Sequence, residues 1–252
     1  MEIEGKKALI TGGCGGMGLA IAEMFLGKGL SVVLVDRQTQ SADALLANYP
    51  KHLSTVAVDL IDLDACKAAL EPLLGAQDAP DILVNAVGIG SPRQANGNAV
   101  PIAEHTVADW LRVMAINVDS VFYCTQLALP RMKARHYGRI INIVSMAPRV
   151  GGVNVGAAYV TSKAAMMGFT KALAHEVSRA GITVNAINPG KVLTPMISHL
   201  AASNAAFAET VPLGRLGMPA DIAGCVEFLA SRGADYLTGS AIEVNGGQYM
   251  GA

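Results

Sequence analysis

Apolar residues along the chain fall into two alternating rhythms. Short runs rich in β-branched side chains recur at Lys7–Thr11, Ser31–Val35, Leu53–Leu60, Asp81–Asn85, Gly138–Val144, Thr183–Asn188 and Ala241–Val244. Runs of this kind are expected of strands buried on both faces of a parallel sheet. Between them lie stretches with helical spacing: from Leu19 onward, from about 105 to 135, from about 158 to 179, and from Pro219 to Leu229. In the second of these, Trp110, Leu111, Val113, Met114, Ile116 and Val118 take core positions, and the amide of Asn117 interrupts them. Strand and helix alternate from end to end, with no linker-like composition. The pattern predicts an α/β chain folded as one doubly wound domain over 1–252, a parallel sheet of about seven strands with helices on both faces. Two segments break the rhythm. Ser91–Pro101 is polar and rich in turn residues and reads as a loop over the site. Residues 193–217 read as a lid.

Composition narrows the function classes. The chain has 252 residues, 52% hydrophobic and 15% charged, so it has material for a large core and little tendency to disorder. A net charge of −1 gives no electrostatic case for nucleic acid or an anionic membrane. No apolar run reaches the length of a membrane span. The charged start, Met1 to Lys7, leads directly into a strand, so no signal peptide is expected and the protein is placed in the cytoplasm. Cys14, Cys66, Cys124 and Cys225 lie far apart and read as small buried side chains. The five histidines have no metal-ligand spacing and read as surface or helix-end residues; no metal is expected.

The candidate chemistry starts at the first strand, which stops at Gly12-Gly13-Cys14-Gly15-Gly16-Met17-Gly18. Strand, glycine turn and helix together form a pyrophosphate cradle. Two registers fit: Gly13, Gly15 and Gly18 satisfy Gly-x-Gly-x-x-Gly, and Thr11 with Gly12, Gly16 and Gly18 satisfies Thr-Gly-x-x-x-Gly-x-Gly. The second strand ends in Asp36, placed to bind both ribose hydroxyls of an adenosine and to repel a 2′-phosphate. Arg37 is a counterweight able to accept that phosphate. Asp36 comes first, which favours NAD(H) over NADP(H). Asp59 reads either as an adenine contact or as the cap of the next helix. Asn117 reads either as a satisfied core amide or as an anchor near the site. Ser145 closes the fifth strand, where ligands bind in open parallel sheets. Tyr159 and Lys163 stand four apart on the following helix and so share a face. A hydroxyl, a phenol and an ammonium converging on one point can move a proton to or from a carbonyl or alcohol. Thr161 and Ser162 point elsewhere on that helix and receive no role.

These pieces together resemble the short-chain dehydrogenase/reductase family over nearly the whole length. The resemblance rests on Thr11-Gly12-x-x-x-Gly16-x-Gly18, Asp36, Asp59, Asn117, Ser145, Tyr159-x-x-x-Lys163, Pro189-Gly190 with Thr194, and Gly246-Gly247. It implies a Rossmann-like domain that moves a hydride between NAD(H) and a secondary alcohol or ketone. Tyr159 is then the general acid/base, its pKa lowered by Lys163 and the oxidised nicotinamide. Ser145 binds the substrate oxygen, Lys163 also holds the nicotinamide ribose, and Asn117 holds a water behind the lysine. Implied cofactor contacts are Gly12, Gly16, Met17, Gly18, Asp36, Arg37, Asp59, Leu60, Asn85, Tyr159, Lys163, Pro189, Val192 and Thr194. Two departures stand out. Asn85-Ala86-Val87-Gly88 replaces the family's Asn-Asn-Ala-Gly, and the Ser145–Tyr159 spacing is one residue longer than expected. That extra residue lies in 146–158, beside the substrate. The expected substrate rim is apolar: Met146, Val150, Val153, Val155, Met196 and Ile197. Arg93 and Arg149 stand beside it, either binding an acidic group or solvated. The partner is a small molecule, and a homotetramer or dimer is expected. Rival readings are an NADPH-dependent ketoreductase of the 3-oxoacyl-carrier-protein type, a dehydratase or epimerase, and a non-catalytic NAD-binding regulator.

Overall fold

The computed structural model describes residues 2–75, 79–95, 97–151, 155–198 and 201–251, with the side chains of Met196 and Ala202 outside that description. In chain order the elements are β1 (Lys7–Thr11), α1 (Gly16–Gly27), β2 (Ser31–Asp36), α2 (Asp43–Asn48), β3 (Leu53–Ala57), α3 (Leu63–Leu74), β4 (Ile82–Asn85), α4 (Val107–Met114), α5 (Ser120–Arg135), β5 (Gly138–Ile143), α6 (Ala147–Val150), α7 (Ala157–Val177), β6 (Ile182–Pro189), α8 (Pro195–Ser198), α9 (Ala201–Ala208), α10 (Pro219–Ala230) and β7 (Ala241–Val244). The strands form one sheet in the order β3-β2-β1-β4-β5-β6-β7, with every adjacent pair parallel. The order reverses between β1 and β4, so the crevice at their carboxyl ends is the switch point of a doubly wound sheet.

Period-two alternation distributes the strand residues between two cores. Ala8, Ile10, Val32, Leu34, Ile82, Val84, Ile141 and Ile143 face Phe25 and Ile21 of α1 and Ile222 and Val226 of α10. Their neighbours Leu9, Val33, Val35, Leu83 and Ile140 face Leu70 of α3, Cys124 and Met132 of α5, and Leu173 and Val177 of α7. Neither face is left for water, which is why the strands read as continuous apolar runs.

The predicted helix over 105–135 is interrupted. Thr106 caps α4 by accepting from the Asp109 N–H at 3.0 Å. A π-turn at Ala115–Asp119 then separates α4 from α5. The widened turn falls on Asn117, and π-turns of this kind concentrate at functional sites. The cap of α3 is Asp62, which accepts from the Ala65 N–H at 2.9 Å; Asp59 accepts instead from Ile61 N. Of the histidines, His136 ends α5 in a left-handed conformation and His175 lies in the last turn of α7. His105 is half-buried with both ring nitrogens unpaired, unlike the surface position expected of it. Cys14, Cys66, Cys124 and Cys225 are free thiols, and burial pushes their pKa values up to about 11 to 12.

Residues 193–216 leave and re-enter the fold at a pinched base. Val192 bridges Gly217, Leu193 N donates to Gly217 O at 2.8 Å, and Gly217 N donates to Lys191 O at 3.0 Å. Among the described residues, no helix is long and apolar enough to cross a membrane.

Candidate active site

The glycine turn decides its own register. Gly12 adopts φ +64°, and a Cβ there would lie 2.7 Å from the Val87 backbone. A Cβ on Gly16 would meet Pro195 Cδ at 2.8 Å, and one on Gly18 would meet Gly12 O at 2.6 Å. Gly15 has only Gly12 O nearby, at 3.4 Å. The Thr-Gly-x-x-x-Gly-x-Gly register is therefore the one that sterics require. Gly13 is also required, because its Cβ would strike Ile10 O at 2.8 Å. α1 starts without a side-chain cap and without an acidic residue in its first turn. Its first N–H groups and the positive end of its dipole thus remain available to an anion. Met17 is half-buried behind this turn.

Asp36 closes β2 beside the turn. One carboxylate oxygen accepts from Cys14 N at 3.1 Å, and the other is only weakly engaged by Gln38 N at 3.5 Å. Free lone pairs remain for hydroxyl donors, so the residues present fit a dinucleotide. Arg37 is exposed. Leu60 is buried in the core, so only its backbone faces outward. Asn85 differs from expectation in the same way. Its side chain is buried between Thr11 and Asn142 and can offer a cofactor nothing but backbone. Thr194 opens α8 directly against Gly16, joining the phosphate turn to the 193–216 excursion. Val192 is buried at its base.

Ser145, Tyr159 and Lys163 converge at the carboxyl end of β5. Ser145 Oγ accepts from Ala147 N at 3.0 Å and lies beside the Tyr159 phenol, close enough to lower its pKa. Lys163 is 5% exposed, and its Nζ donates to Ile143 O at 3.0 Å and lies 5.9 Å from the Tyr159 ring centre. Burial lowers the Lys163 pKa to about 8. Burial also raises the Tyr159 pKa above its usual value, and the neighbouring Ser145 hydroxyl offsets part of that rise. Desolvation thus dominates among the protein groups, whereas the expected lowering joins Lys163 to the positive nicotinamide of a bound cofactor.

Asn117 is fully buried. Its Oδ1 accepts from Ile89 N at 2.8 Å, and its Nδ2 donates to Ile89 O and to Ser162 Oγ, both at 2.9 Å. Both of its donors are used, which leaves one Oδ1 lone pair. Ser162, given no role from the sequence, is the residue that closes this set; it donates in turn to Tyr159 O at 2.8 Å. Helical spacing turns Ser162 away from the substrate face, but toward the π-turn, and only the packing of α7 on that turn reveals its partner. Ser91 was also missed. Its Oγ accepts from Tyr159 N at 3.0 Å and so caps the start of α7 from the 91–101 loop. The Asn85-Ala86-Val87-Gly88 departure leaves the key feature intact. A Cβ on Gly88 would lie 3.1 Å from Lys163 Nζ and 3.4 Å from Asn117 Oδ1, so the glycine makes room for the lysine.

On the substrate side, Met146 and Val155 are half-buried, and Met146 N donates to Pro189 O at 3.1 Å. Val153 and the Met196 side chain lie outside the described residues. The longer 146–158 segment contains α6 and two left-handed glycines, Gly151 and Gly156. Arg149 is not free: its Nε pairs with Glu243 at 3.2 Å, and its guanidinium lies over the Tyr249 ring.

A family profile described as enoyl-(acyl carrier protein) reductase matches residues 13–248. The chain is 35% identical over 255 residues to a 3-oxoacyl-[acyl-carrier-protein] reductase of Aquifex aeolicus, covering 99% of each chain. It is 34% identical over 247 residues to the 2-dehydro-3-deoxy-L-rhamnonate dehydrogenase (NAD(+)) of a Sphingomonas species, covering 97% of this chain and 95% of that one. A 3-oxoacyl-[acyl-carrier protein] reductase from Brucella melitensis, solved with bound NAD, superposes with a TM-score of 0.87 at 31% identity, covering 98% and 92%. With a nearly full-length profile match, full-length relatives above 30% identity and the same doubly wound sheet, the chain belongs to the short-chain dehydrogenase/reductase family.

Proposed function

We propose that this oxidoreductase interconverts a secondary alcohol and a ketone with NAD(H), using Tyr159 as general acid/base. The observation that carries the reading is the convergence of Ser145 and Tyr159, with the buried Lys163 ammonium 5.9 Å from the Tyr159 ring centre. The bound dinucleotide would supply or accept the hydride at the substrate carbon. Ser145 binds the substrate oxygen where negative charge develops. Tyr159 gives that oxygen its proton in reduction and removes it in oxidation. Lys163, the nearest buried cation, stabilises the phenolate that reduction leaves. Asn117, Ile89, Ser162 and Ser91 fix the start of α7, so the phenol stays in place. Gly12, Gly16, Gly18 and the start of α1 would hold the pyrophosphate, and Asp36 the adenosine ribose. The half-engaged Asp36 carboxylate supports NAD(H) over NADP(H).

The raised Tyr159 pKa supports a second emphasis. A phenol that is protonated at rest is ready to act as an acid, which suits ketone reduction, the reaction named for the Aquifex and Brucella relatives. On this account alcohol oxidation gains with rising pH, as the phenolate forms, while reduction declines.

Tyr159→Phe should retain nicotinamide binding, read by fluorescence quenching, and lose on the order of 10²–10⁴-fold in turnover. Normal turnover would remove Tyr159 from the mechanism. Comparing kcat/KM with NADH and NADPH tests Asp36; a strong preference for NADPH would overturn that assignment.

A further inference from the structure

Two cations remain at the mouth of this site that the proton-transfer machinery does not use. Arg93 lies two residues beyond Ser91, whose hydroxyl holds the first turn of α7 at Tyr159. Lys191 lies two residues beyond Pro189, whose carbonyl holds Met146, the residue after Ser145. Both therefore lie at the carboxyl edge of the sheet, Arg93 in the loop after β4 and Lys191 just after β6, on either side of β5 and Ser145.

Neither cation is neutralised. Among the described residues no carboxylate pairs with either of them, although most of the other arginines and lysines in ion pairs here find a carboxylate within 3.2 Å. Arg93 donates one N–H to Gly97 O and is otherwise exposed, leaving most of its five donors unused. The Lys191 ammonium rests on the ring of Phe207 in α9, 4.7 Å from its centre. An aromatic face orients a cation without cancelling its charge. Burial and the repulsion of Arg93 both lower the Lys191 pKa, as two neighbouring positive charges would. Two like charges held together without an acid between them is an unfavourable arrangement that an incoming anion relieves. Arg149, the other cation of the rim, is committed to Glu243 and Tyr249 and does not compete.

We propose that Arg93 and Lys191 form an anion-binding pair for the substrate, so that this enzyme acts on alcohols and ketones bearing a carboxylate or phosphate. This rests on the oxidoreductase reading above and adds a charged pair to the expected apolar rim.

The test is a binding titration with NAD+ present, in which ketone probes cannot turn over. Acetoacetate is compared with methyl acetoacetate, and dihydroxyacetone phosphate with dihydroxyacetone. At least one anion should bind tenfold or more tighter than its neutral counterpart, with the ratio falling as salt is raised. Which pair discriminates tells carboxylate from phosphate. Arg93→Met and Lys191→Met together should bring the ratio close to one, while Arg149→Met should leave it unchanged. Equal binding of anion and neutral probe in both pairs, or a ratio that survives the double substitution, would overturn the proposal. Because no chemistry is involved, that failure is separate from failure of the oxidoreductase reading, which the Tyr159→Phe turnover measurement decides.

Discussion

At the scale of single residues, Lys163 has the clearest physical signature. Its ammonium is nine-tenths or more enclosed and has one carbonyl partner, Ile143 O. Its pKa falls from 10.5 to about 8. The unfolded chain therefore binds this proton more tightly than the folded one. Below pH 8 the full cost of burying the charge is present, and it is relieved as pH rises from about 8 toward 10.5. Lys163→Met removes the charge. Its stability relative to wild type should be most favourable at pH 7 and decline by pH 10, as measured by urea unfolding at both values. A difference that is constant with pH would mean that the lysine is not buried in its charged form. Tyr159, Lys163 and Ser145 were legible in the sequence because a four-residue spacing fixes a helix face. Ser162 and Ser91 were not, because their partners lie 45 and 68 residues away. No local pattern encodes a contact with a π-turn or a distant loop.

At the scale of elements, a ladder of buried polar groups ties β1 to α7. Thr11 on β1 donates to Asn85 on β4 at 3.4 Å, Asn85 to Asn142 on β5 at 2.9 Å, Asn142 to Thr170 on α7 at 2.9 Å, and Thr170 to Met166 O at 2.8 Å. All four side chains are buried, so each unmade bond would carry a desolvation cost. Asn142→Ala strands a donor on one side and an acceptor on the other and should cost about 2–4 kcal/mol by chemical denaturation. Thr170→Val, at the end of the chain of bonds, should cost about 1 kcal/mol. If the two substitutions prove additive in a double-mutant cycle, the ladder is a row of independent contacts and not a connected unit. Asn142 sits inside an apolar strand run, where the sequence marks it as odd but does not say which strand answers it. The glycine turn behaves in the same way. Two registers were equally consistent with the residues, and the open space at Gly15, against the close approach of Val87 to Gly12 and Pro195 to Gly16, decided between them.

At the scale of the whole molecule, the sheet carries the site on its carboxyl edge, and two large apolar side chains of α4 and α5 stand exposed on its flank. Leu111 is 59% exposed and Phe122 51% exposed, with Phe122 packed edge-on against Phe169 of α7 at 6.3 Å. We propose that this α4–α5–α7 face pairs with a second copy of the chain, which fits the expected homo-oligomer. Phe122→Glu should shift the protein to a smaller species in light scattering coupled to gel filtration while leaving the Ser145–Tyr159 pair in place. An unchanged mass would place the oligomer contact elsewhere. The alternation of apolar runs and helical spacing by itself determined the α/β class, the seven strands, most helix positions and the shared helix face of Tyr159 and Lys163, because these follow from periodicities of two and about 3.6 residues. The tertiary structure alone decided the strand order, the break at Asn117, the glycine register, the inward commitment of Asn85 and, among the described residues, the lack of a carboxylate partner for Arg93 and Lys191. Each of these depends on which atoms from distant parts of the chain meet, and residue spacing carries no information about contacts across a sheet or between loops.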